Sequence, residues 1–182
     1  MEFKSFNKIP RLNREMIITE KIDGTNGVIC ITEDGEFLVG SRNRWITPED
    51  DNHGFAKWCY ENKEELLELG VGWHHGEWWG KGINRGYDQK GNHFSLFNTS
   101  KWNPTNIPSC CEVVPVLFTG AFDTDTIDGA LLVLDTMGSW VAKGYRNPEG
   151  IVIFHTGLNG YFKVTIKGDE KPKGVSDYER TK

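Results

Sequence analysis

The amino-acid sequence predicts an α+β domain, and three observations support this fold class. Short β-prone runs are joined by compact turns, of which Asp34-Gly35 is the strongest hairpin signal. Two longer segments carry apolar residues at helical spacing and are followed by a glycine. The chain of 182 residues shows no internal repeat and no low-complexity linker, so one domain is the simplest organisation.

The first part of the chain is predicted to form three strands and a helix. The strands are expected at residues 16–20, 28–31 and 37–39. Gly24 and Gly27 bracket a tight loop after the first strand. A helix is expected over residues 55–69, and its apolar positions share one face: Phe55, Trp58, Cys59, Leu66 and Leu69.

The second part continues with strands around a second helix. Strands are expected at residues 76–79, 94–97 and 113–118, and the helix at residues 126–137. A closing hairpin pairs residues 150–154 with 161–166 across Leu158-Asn159-Gly160. The domain is therefore expected to span residues 1–167. Residues 168–182 are polar and predict a loosely held tail, with no appended OB-fold or other C-terminal domain.

Charge and cysteine content narrow the function and the compartment. The net charge of −5 argues against coating of long nucleic acid but leaves room for a local basic groove. The four cysteines show no CxxC spacing and no disulfide framework. The N-terminus lacks an apolar signal region, and no apolar run reaches membrane length. An intracellular, cytoplasmic protein without membrane association is therefore expected.

The first motif with chemical content is Glu20-Lys21-Ile22-Asp23-Gly24-Thr25-Asn26. A lysine at a strand end, just before a glycine turn, can project into a cleft while the backbone stays close to a ligand. This placement suits a nucleophile that attacks the α-phosphate of a nucleotide. Taken alone, the pattern also fits a surface lysine beside a turn.

Further motifs follow this lysine in a fixed order: Ser41-Arg42-Asn43, Gly76-Glu77-Trp78-Trp79-Gly80, Phe94-Ser95-Leu96-Phe97, Glu149-Gly150-Ile151-Val152-Ile153 and Lys163-Val164-Thr165. The series resembles the covalent nucleotidyltransferase superfamily of DNA ligases, RNA ligases and capping enzymes. It is most similar to the ATP-dependent RNA ligases, because Thr25-Asn26 directly follows the glycine. The resemblance implies an adenylation domain of antiparallel sheets, flanked by a few helices, with a nucleotide cleft between them.

The resemblance also implies roles for individual residues. Lys21 would take AMP from ATP as a covalent adduct, Lys163 would act on phosphate charge, and Glu149 would bind Mg²⁺ or Mn²⁺, which prefer oxygen ligands. Only about one free lysine in a thousand is neutral near pH 7.5, so nearby cations must favour the neutral amine. The implied nucleotide-binding residues are Glu20, Ile22, Arg42, Glu77, Phe97, Lys163 and Lys167.

The resemblance implies specific partners on the nucleotide for four of these residues. Glu77 would bind the ribose, Phe97 would stack on the adenine, and Glu20 would accept a hydrogen bond from the adenine amino group. Phe94 is an alternative stacking ring, on the opposite face of the same strand. Arg42 would contact ribose or phosphate through its planar guanidinium group, which suits bidentate hydrogen bonding.

Two positions depart from the family pattern. Related phage enzymes often carry histidine at the position of Asp23. Their last motif has lysines two residues apart, whereas Thr165 follows Lys163 at that spacing. Lys167 would replace the missing lysine, or that contact is absent.

The expected function is that of an ATP-dependent RNA ligase that joins or repairs RNA ends. The alternatives are a minimal DNA ligase, a capping guanylyltransferase, and a non-catalytic protein that binds nucleotides or nucleic-acid ends. Without an appended domain, RNA or nicked duplex would be held weakly by a local groove, and a protein partner would supply further binding. The candidate groove residues are Arg42, Arg44, Lys81 and Arg85.

Overall fold

A computed structural model describes residues 1–167, which form two β-sheets and three α-helices. The strands are β1 (Glu15–Lys21), β2 (Thr25–Ile31), β3 (Phe37–Gly40), β4 (Gly72–Gly80), β5 (Asn92–Leu96), β6 (Glu112–Val113), β7 (Val116–Ala121), β8 (Gly150–His155) and β9 (Gly160–Thr165). The helices are α1 (Phe55–Glu61), α2 (Lys63–Leu66) and α3 (Thr124–Met137). Two 3₁₀ turns lie at Leu67–Leu69 and Gly86–Asp88. The predicted α+β class is confirmed.

Sheet 1 has the strand order β7-β1-β8-β9, and all of its pairs are antiparallel. Side chains of a strand alternate between the two faces of a sheet. One face buries Met16 and Ile18 beneath α3, whose Leu134 is fully buried in the same cluster. The other face therefore carries Lys21, at the end of β1.

Sheet 2 has the order β3-β2-β4-β5-β6, and its pairs are antiparallel except the short parallel pair β5–β6. One face packs against α1 and α2 in the largest core of the described chain. Phe55 of α1 meets Phe94 there, with ring centroids 4.9 Å apart. The opposite face carries Glu77, whose register partners are Asn26 on β2 and Ser95 on β5.

The two sheets meet at the loop that joins β1 to β2. A third buried cluster fills this junction: Ile22, Trp79, Tyr87, Val114 and Ala142. Because the loop is only three residues long, the end of β1 and the start of β2 stay close together. The junction therefore places Lys21 of sheet 1 beside the Glu77 face of sheet 2.

Two predicted elements are divided in the structure. The helix expected over residues 55–69 breaks at Asn62, whose side-chain amide donates to the Trp58 carbonyl at 2.8 Å and competes with the helical backbone. The strand expected over residues 113–118 is divided at Pro115, which has no N–H for a ladder. Its two parts, β6 and β7, belong to different sheets.

Other boundaries shift by a few residues. The strand expected at residues 94–97 is β5, which ends at Leu96 and leaves Phe97 just outside. Gly27, expected in a loop, lies within β2. The polar tail expected at residues 168–182 lies outside the described residues. Among residues 1–167, no helix has the length and apolar character needed to cross a membrane.

Candidate active site

The centre of the candidate site is an ion pair between Lys21 and Glu149. The Lys21 Nζ lies 2.5 Å from the Glu149 Oε2, although 128 residues separate them in sequence. Lys21 ends β1 and Glu149 immediately precedes β8, where Gly150 is the register partner of Lys21. Both side chains are partly covered, with 24% and 18% of their surface exposed. A ligand in the cleft can therefore reach the pair.

Gly150 permits the close approach of strands beside this pair. A Cβ atom at this position would collide with the backbone carbonyl of Val164 on β9. The Glu149 carbonyl accepts a hydrogen bond from the Ile166 N–H at 3.0 Å, which fixes the backbone just before β8. Glu149 is thus held by main-chain contacts on a rigid sheet edge.

Glu77 lies next to the pair, on β4 of sheet 2. Its carboxylate accepts hydrogen bonds from the Gly24 N–H and the Asn26 side-chain amide, both at 3.0 Å. Burial raises the pKa of Glu77 to about 7; the Gly24 bond, the Lys21 charge and the Asn26 bond oppose that rise, and the Glu149 charge adds to it. The carboxylate therefore binds the glycine loop of the first motif and titrates near neutral pH.

Glu20 does not join these residues, because strand alternation directs it to the face of sheet 1 opposite Lys21. It is buried and accepts hydrogen bonds from the Ser139 hydroxyl at 2.6 Å and from the backbone N–H groups of Trp140 and Val141 at 2.8 and 2.9 Å. Burial raises the pKa of Glu20, and these three hydrogen bonds oppose the rise. Its contact with an adenine amino group stays a prediction.

Asp23 and Arg85 link the first motif to the segment that carries Glu149. The Arg85 Nε donates to the Asp23 Oδ2 at 2.8 Å, and its Nη1 donates to the carbonyls of Asn147 and Pro148 at 2.9 and 3.2 Å. Asn84 donates to the Asp23 Oδ1 at 3.1 Å. The aspartate that replaces the family's frequent histidine therefore has a cationic partner here.

These contacts engage only part of the Arg85 guanidinium, which is expected to help form a phosphate-binding groove. Its Nε binds Asp23 and its Nη1 binds two backbone carbonyls, so Arg85 links two segments of the protein. Phosphate binding by Arg85 stays a prediction. Arg44, another candidate for that groove, is exposed and pairs with Asp50.

The structure separates the two phenylalanines of the aromatic motif. Phe94 is fully buried in the core beside Phe55 and Trp58. Phe97 is 36% exposed, and its N–H donates to the His75 carbonyl at 2.9 Å. By strand alternation Phe97 lies on the Glu77 face of sheet 2, so it is the ring of the two that a nucleotide can reach.

Lys163 lies on the same face of sheet 1 as Lys21. It is opposite Val152 on β8, which is opposite Thr19 on β1. Thr165, at the position of the family's second lysine, is level with Gly150 and hence with Lys21. Lys167 lies just past β9, where its Nζ donates to the Asn147 side chain at 3.1 Å. This contact brings Lys167 to the segment that precedes Glu149.

The remaining predicted residues differ in accessibility. Arg42 is exposed, in the turn that follows β3. The Ile22 side chain is 4% exposed and packs in the junction cluster. A nucleotide contact of Ile22 would therefore have to come from its backbone.

Sequence reasoning missed several residues that shape the site. Tyr87 accepts a hydrogen bond from the Asp23 N–H at 2.7 Å, and Asn26 holds Glu77. Ser139, Trp140 and Val141 bind Glu20 from 119 to 121 residues away. Asn26 lies within the first motif and was open to prediction, whereas no local pattern indicates the others.

A divalent cation fits the donors at this site. Mg²⁺ and Mn²⁺ favour carboxylate oxygens, and Mg²⁺ commonly needs only one or two carboxylates because water and substrate phosphates complete its shell. Glu149 is a partly exposed carboxylate in the cleft, with Glu77 nearby. Within residues 1–167 no group of three or more histidine, cysteine, aspartate or glutamate side chains is placed to hold a metal ion together.

Two mainly antiparallel sheets flanked by a few helices, with Lys21 and Glu149 paired at their junction, are the arrangement expected of a ligase-type nucleotidyltransferase domain. A model of the RNA ligase family matches residues 14–165. The chain therefore belongs to the RNA ligase family, as the order of its motifs predicted.

Solved structures of a Naegleria gruberi RNA ligase share this fold. A mutant of that protein without ligand matches with 21% identity and a TM-score of 0.60, over 84% of this chain and 49% of that chain. A mutant with AMP and Mn matches with 21% identity and a TM-score of 0.61, over 85% and 50%. The chain thus spans about half the length of these structures. A search of curated proteins finds no significant match.

Proposed function

We propose that this protein is an ATP-dependent RNA ligase that carries AMP on Lys21. AMP passes from Lys21 to the 5′-phosphate of an RNA end, and a 3′-hydroxyl then seals that end with release of AMP. The observation that carries this proposal is the contact of 2.5 Å between Lys21 and Glu149 in a cleft that also holds Glu77. Membership of the RNA ligase family supports the same activity.

The first step is a displacement at the α-phosphorus of ATP. The Lys21 Nζ forms a bond to that phosphorus, and the bond from phosphorus to the bridging oxygen breaks. Before the attack the Lys21 ammonium loses one proton to water, which frees the lone pair of Nζ. The electron pair of the broken bond leaves with pyrophosphate, which takes up the second proton of the amine. Lys21 is held at a strand end by Glu149, so much of the catalysis comes from positioning.

Charge neutralisation accounts for the rest of the proposed chemistry. Lys163 shares the face of Lys21, which supports a role in neutralising the charge of the phosphates. Lys167 contributes a second positive charge near Glu149. A Mg²⁺ or Mn²⁺ ion bound at Glu149 would supply further positive charge to the phosphates. In support, structures of the Naegleria gruberi ligase contain ATP or AMP together with Mn.

The base and ribose of ATP are assigned to the face of sheet 2. Glu77 accepts a hydrogen bond from the ribose, Phe97 stacks on the adenine, and Arg42 contacts ribose or phosphate. The Ile22 backbone completes the nucleotide contacts on this side. A contact of Glu20 with the adenine amino group would require the buried carboxylate to change its present hydrogen bonds with Ser139, Trp140 and Val141. Glu77 and Phe97 lie on one face of neighbouring strands, which supports a shared ligand.

RNA ends or nicked duplex are the proposed polynucleotide substrates, in an RNA repair reaction in the cytoplasm. The net charge of −5 and the internal engagement of Arg85 favour weak binding of RNA. A protein partner would then supply additional affinity. With few phosphates neutralised, the affinity for RNA should depend only weakly on salt.

Labelling with ATP tests the first step. The purified protein is incubated with α-labelled ATP and Mg²⁺ and analysed on a denaturing gel. Lys21→Ala should abolish the label, and Glu149→Ala and Lys163→Ala should lose most of it while circular dichroism stays native. Lys57→Ala, an exposed lysine on α1, is the matched control and should label normally. Undiminished labelling of Lys21→Ala would remove Lys21 as the nucleophile, and preference for GTP would favour a capping enzyme.

Sealing of matched nicks tests the choice of RNA. Nicked duplexes that differ only in the sugar of the 3′-hydroxyl strand are compared. The protein should prefer ribose on that strand, because Thr25-Asn26 follows the RNA ligase pattern. Equal or better sealing of an all-DNA nick would identify a DNA ligase instead.

A further inference from the structure

Three rings form an exposed row on sheet 2, and we call them the aromatic platform: Trp45, Trp73 and His75. The centroids of Trp45 and Trp73 lie 5.5 Å apart with an interplanar angle of 30°. Those of Trp73 and His75 lie 6.3 Å apart at 12°, which is nearly parallel. Trp45 is 49% exposed and Trp73 is 61% exposed. The platform therefore presents flat ring surfaces to the solvent.

The platform lies on the same face of sheet 2 as Glu77. Trp73, His75 and Glu77 occupy alternate positions of β4, so their side chains share a face. Trp45 reaches this face through a β-bridge to Gly40. A Cβ atom at Gly40 would lie 3.2 Å from the Trp45 ring, so the glycine makes room for it.

The inner ring surfaces of the platform cover apolar side chains of sheet 2, which accounts for one side of each ring only. His75 and Trp73 are the register partners of Val28 and Cys30, which are 8% and 5% exposed. The outer ring surfaces remain in water. By contrast, Trp78 and Trp79 on the same strand are 2% and 1% exposed. Exposed apolar surface rimmed by polar residues is typical of interaction sites, and exposed arginines lie beside the platform.

The platform is continuous with the candidate nucleotide site. The His75 carbonyl accepts the Phe97 N–H, which makes these two residues direct neighbours across β4 and β5. Trp73 precedes Glu77 by four residues, a rise of about 13 Å along a strand, which is close to the length of four stacked nucleotides. Arg42 and Arg44 are exposed in the turn before Trp45, where the Ser41 N–H donates to the Arg44 carbonyl.

We propose that the aromatic platform binds unpaired nucleotides of the RNA strand next to the reacting end. Aromatic side chains stack on the face of any base, and neighbouring arginines contact phosphates, which gives sequence-tolerant binding of single strands. Paired bases inside a duplex are already stacked and cannot lie on the rings. This inference rests on the proposed ligase function and names where its RNA substrate is held.

A leucine double variant tests the platform without uncovering the sheet. Trp45→Leu combined with Trp73→Leu keeps apolar cover over Val28 and Cys30 but removes both indole rings. The probe is a fluorescent single-stranded oligoadenylate with a 5′-phosphate, and the readout is the Kd from anisotropy. The double variant should bind at least about tenfold more weakly. Trp45→Phe with Trp73→Phe should recover most of the affinity, and Tyr60→Leu, an exposed ring on α1, should bind like the wild type.

Self-adenylation separates this inference from the proposed function. The leucine variant should label with ATP within about twofold of the wild type, because its changes lie outside the candidate ATP contacts. RNA affinity equal to that of the wild type would overturn the platform. If the RNA affinity is unchanged and the leucine variant also loses a dimer that the wild type forms in sedimentation, the platform binds a second copy of the protein and not RNA. If the wild type does not label but the leucine variant still loses RNA affinity, the ligase function fails and the platform stands.

Discussion

Glu77→Gln should change how the stability of the protein depends on pH. Burial raises the pKa of Glu77 from the ordinary value of 4.5 to about 7, so the folded state binds its proton more tightly than the unfolded chain. The contribution of Glu77 is therefore fully present below pH 4.5 and is lost as pH rises through about 7. At about 1.4 kcal/mol per pH unit, the full effect is about 3 kcal/mol, and most of it falls between pH 5 and pH 8. Glutamine has nearly the same shape and does not titrate.

Urea unfolding at pH 5 and pH 8 measures this effect. The free energy of unfolding of the wild type relative to that of Glu77→Gln should fall by about 2–3 kcal/mol between pH 5 and pH 8. The exposed Glu68 provides the matched control, and Glu68→Gln should follow the wild type at both. If the free energies of unfolding of the wild type and Glu77→Gln change in parallel with pH, the Glu77 carboxylate titrates at the same pH in the folded and the unfolded state. The assignment of Glu77 as a buried, neutral-range acid would then be refuted.

Further predictions concern the backbone and the contacts around the ion pair. Arg85→Ala should lower the free energy of unfolding by about 1–3 kcal/mol and reduce self-adenylation, because it leaves Asp23 without its cation. Arg85→Lys should recover only part of the stability and part of the self-adenylation. Full activity of Arg85→Ala would contradict the linking role of Arg85. Gly150→Ala should destabilise by about 1–3 kcal/mol in urea unfolding, since its Cβ meets the Val164 carbonyl. Gly129→Ala in α3 should instead stabilise by about 0.5–1 kcal/mol, because its Cβ enters open space and alanine favours a helix. A destabilised Gly129→Ala or a neutral Gly150→Ala would show that the local backbone differs from this description.

Local patterns in the sequence were sufficient for most of the strands. Asp34-Gly35 and Leu158-Asn159-Gly160 each join a strand pair that the structure contains. The order of the motifs predicted the family, and it also identified Lys21 and Glu149 as residues of one site. These features depend on neighbouring residues or on the order of motifs along the chain, which a sequence displays directly.

Other features depend on contacts between distant segments. α1 ends at Glu61, where the side-chain amide and the backbone N–H of Asn62 share the Trp58 carbonyl, although the apolar spacing continues to Leu69. Pro115 indicates a strand break, although the apolar residues around it favour one continuous strand. Glu20 meets its partners 119 to 121 residues away, and Asp23 meets Arg85 across 62 residues. Such pairs follow from the packing of the two sheets, which no local pattern encodes.

The most direct test of the account is the location of the AMP adduct. The protein is incubated with ATP and Mg²⁺, freed of nucleotide under denaturing conditions, digested, and analysed by mass spectrometry. The account predicts AMP on the peptide that contains Lys21, with fragment ions that assign it to the lysine side chain, and no adduct on the folded Lys21→Ala variant. AMP on another residue, or no adduct on the folded wild type, would contradict the claim that Lys21 is the nucleophile of an RNA ligase.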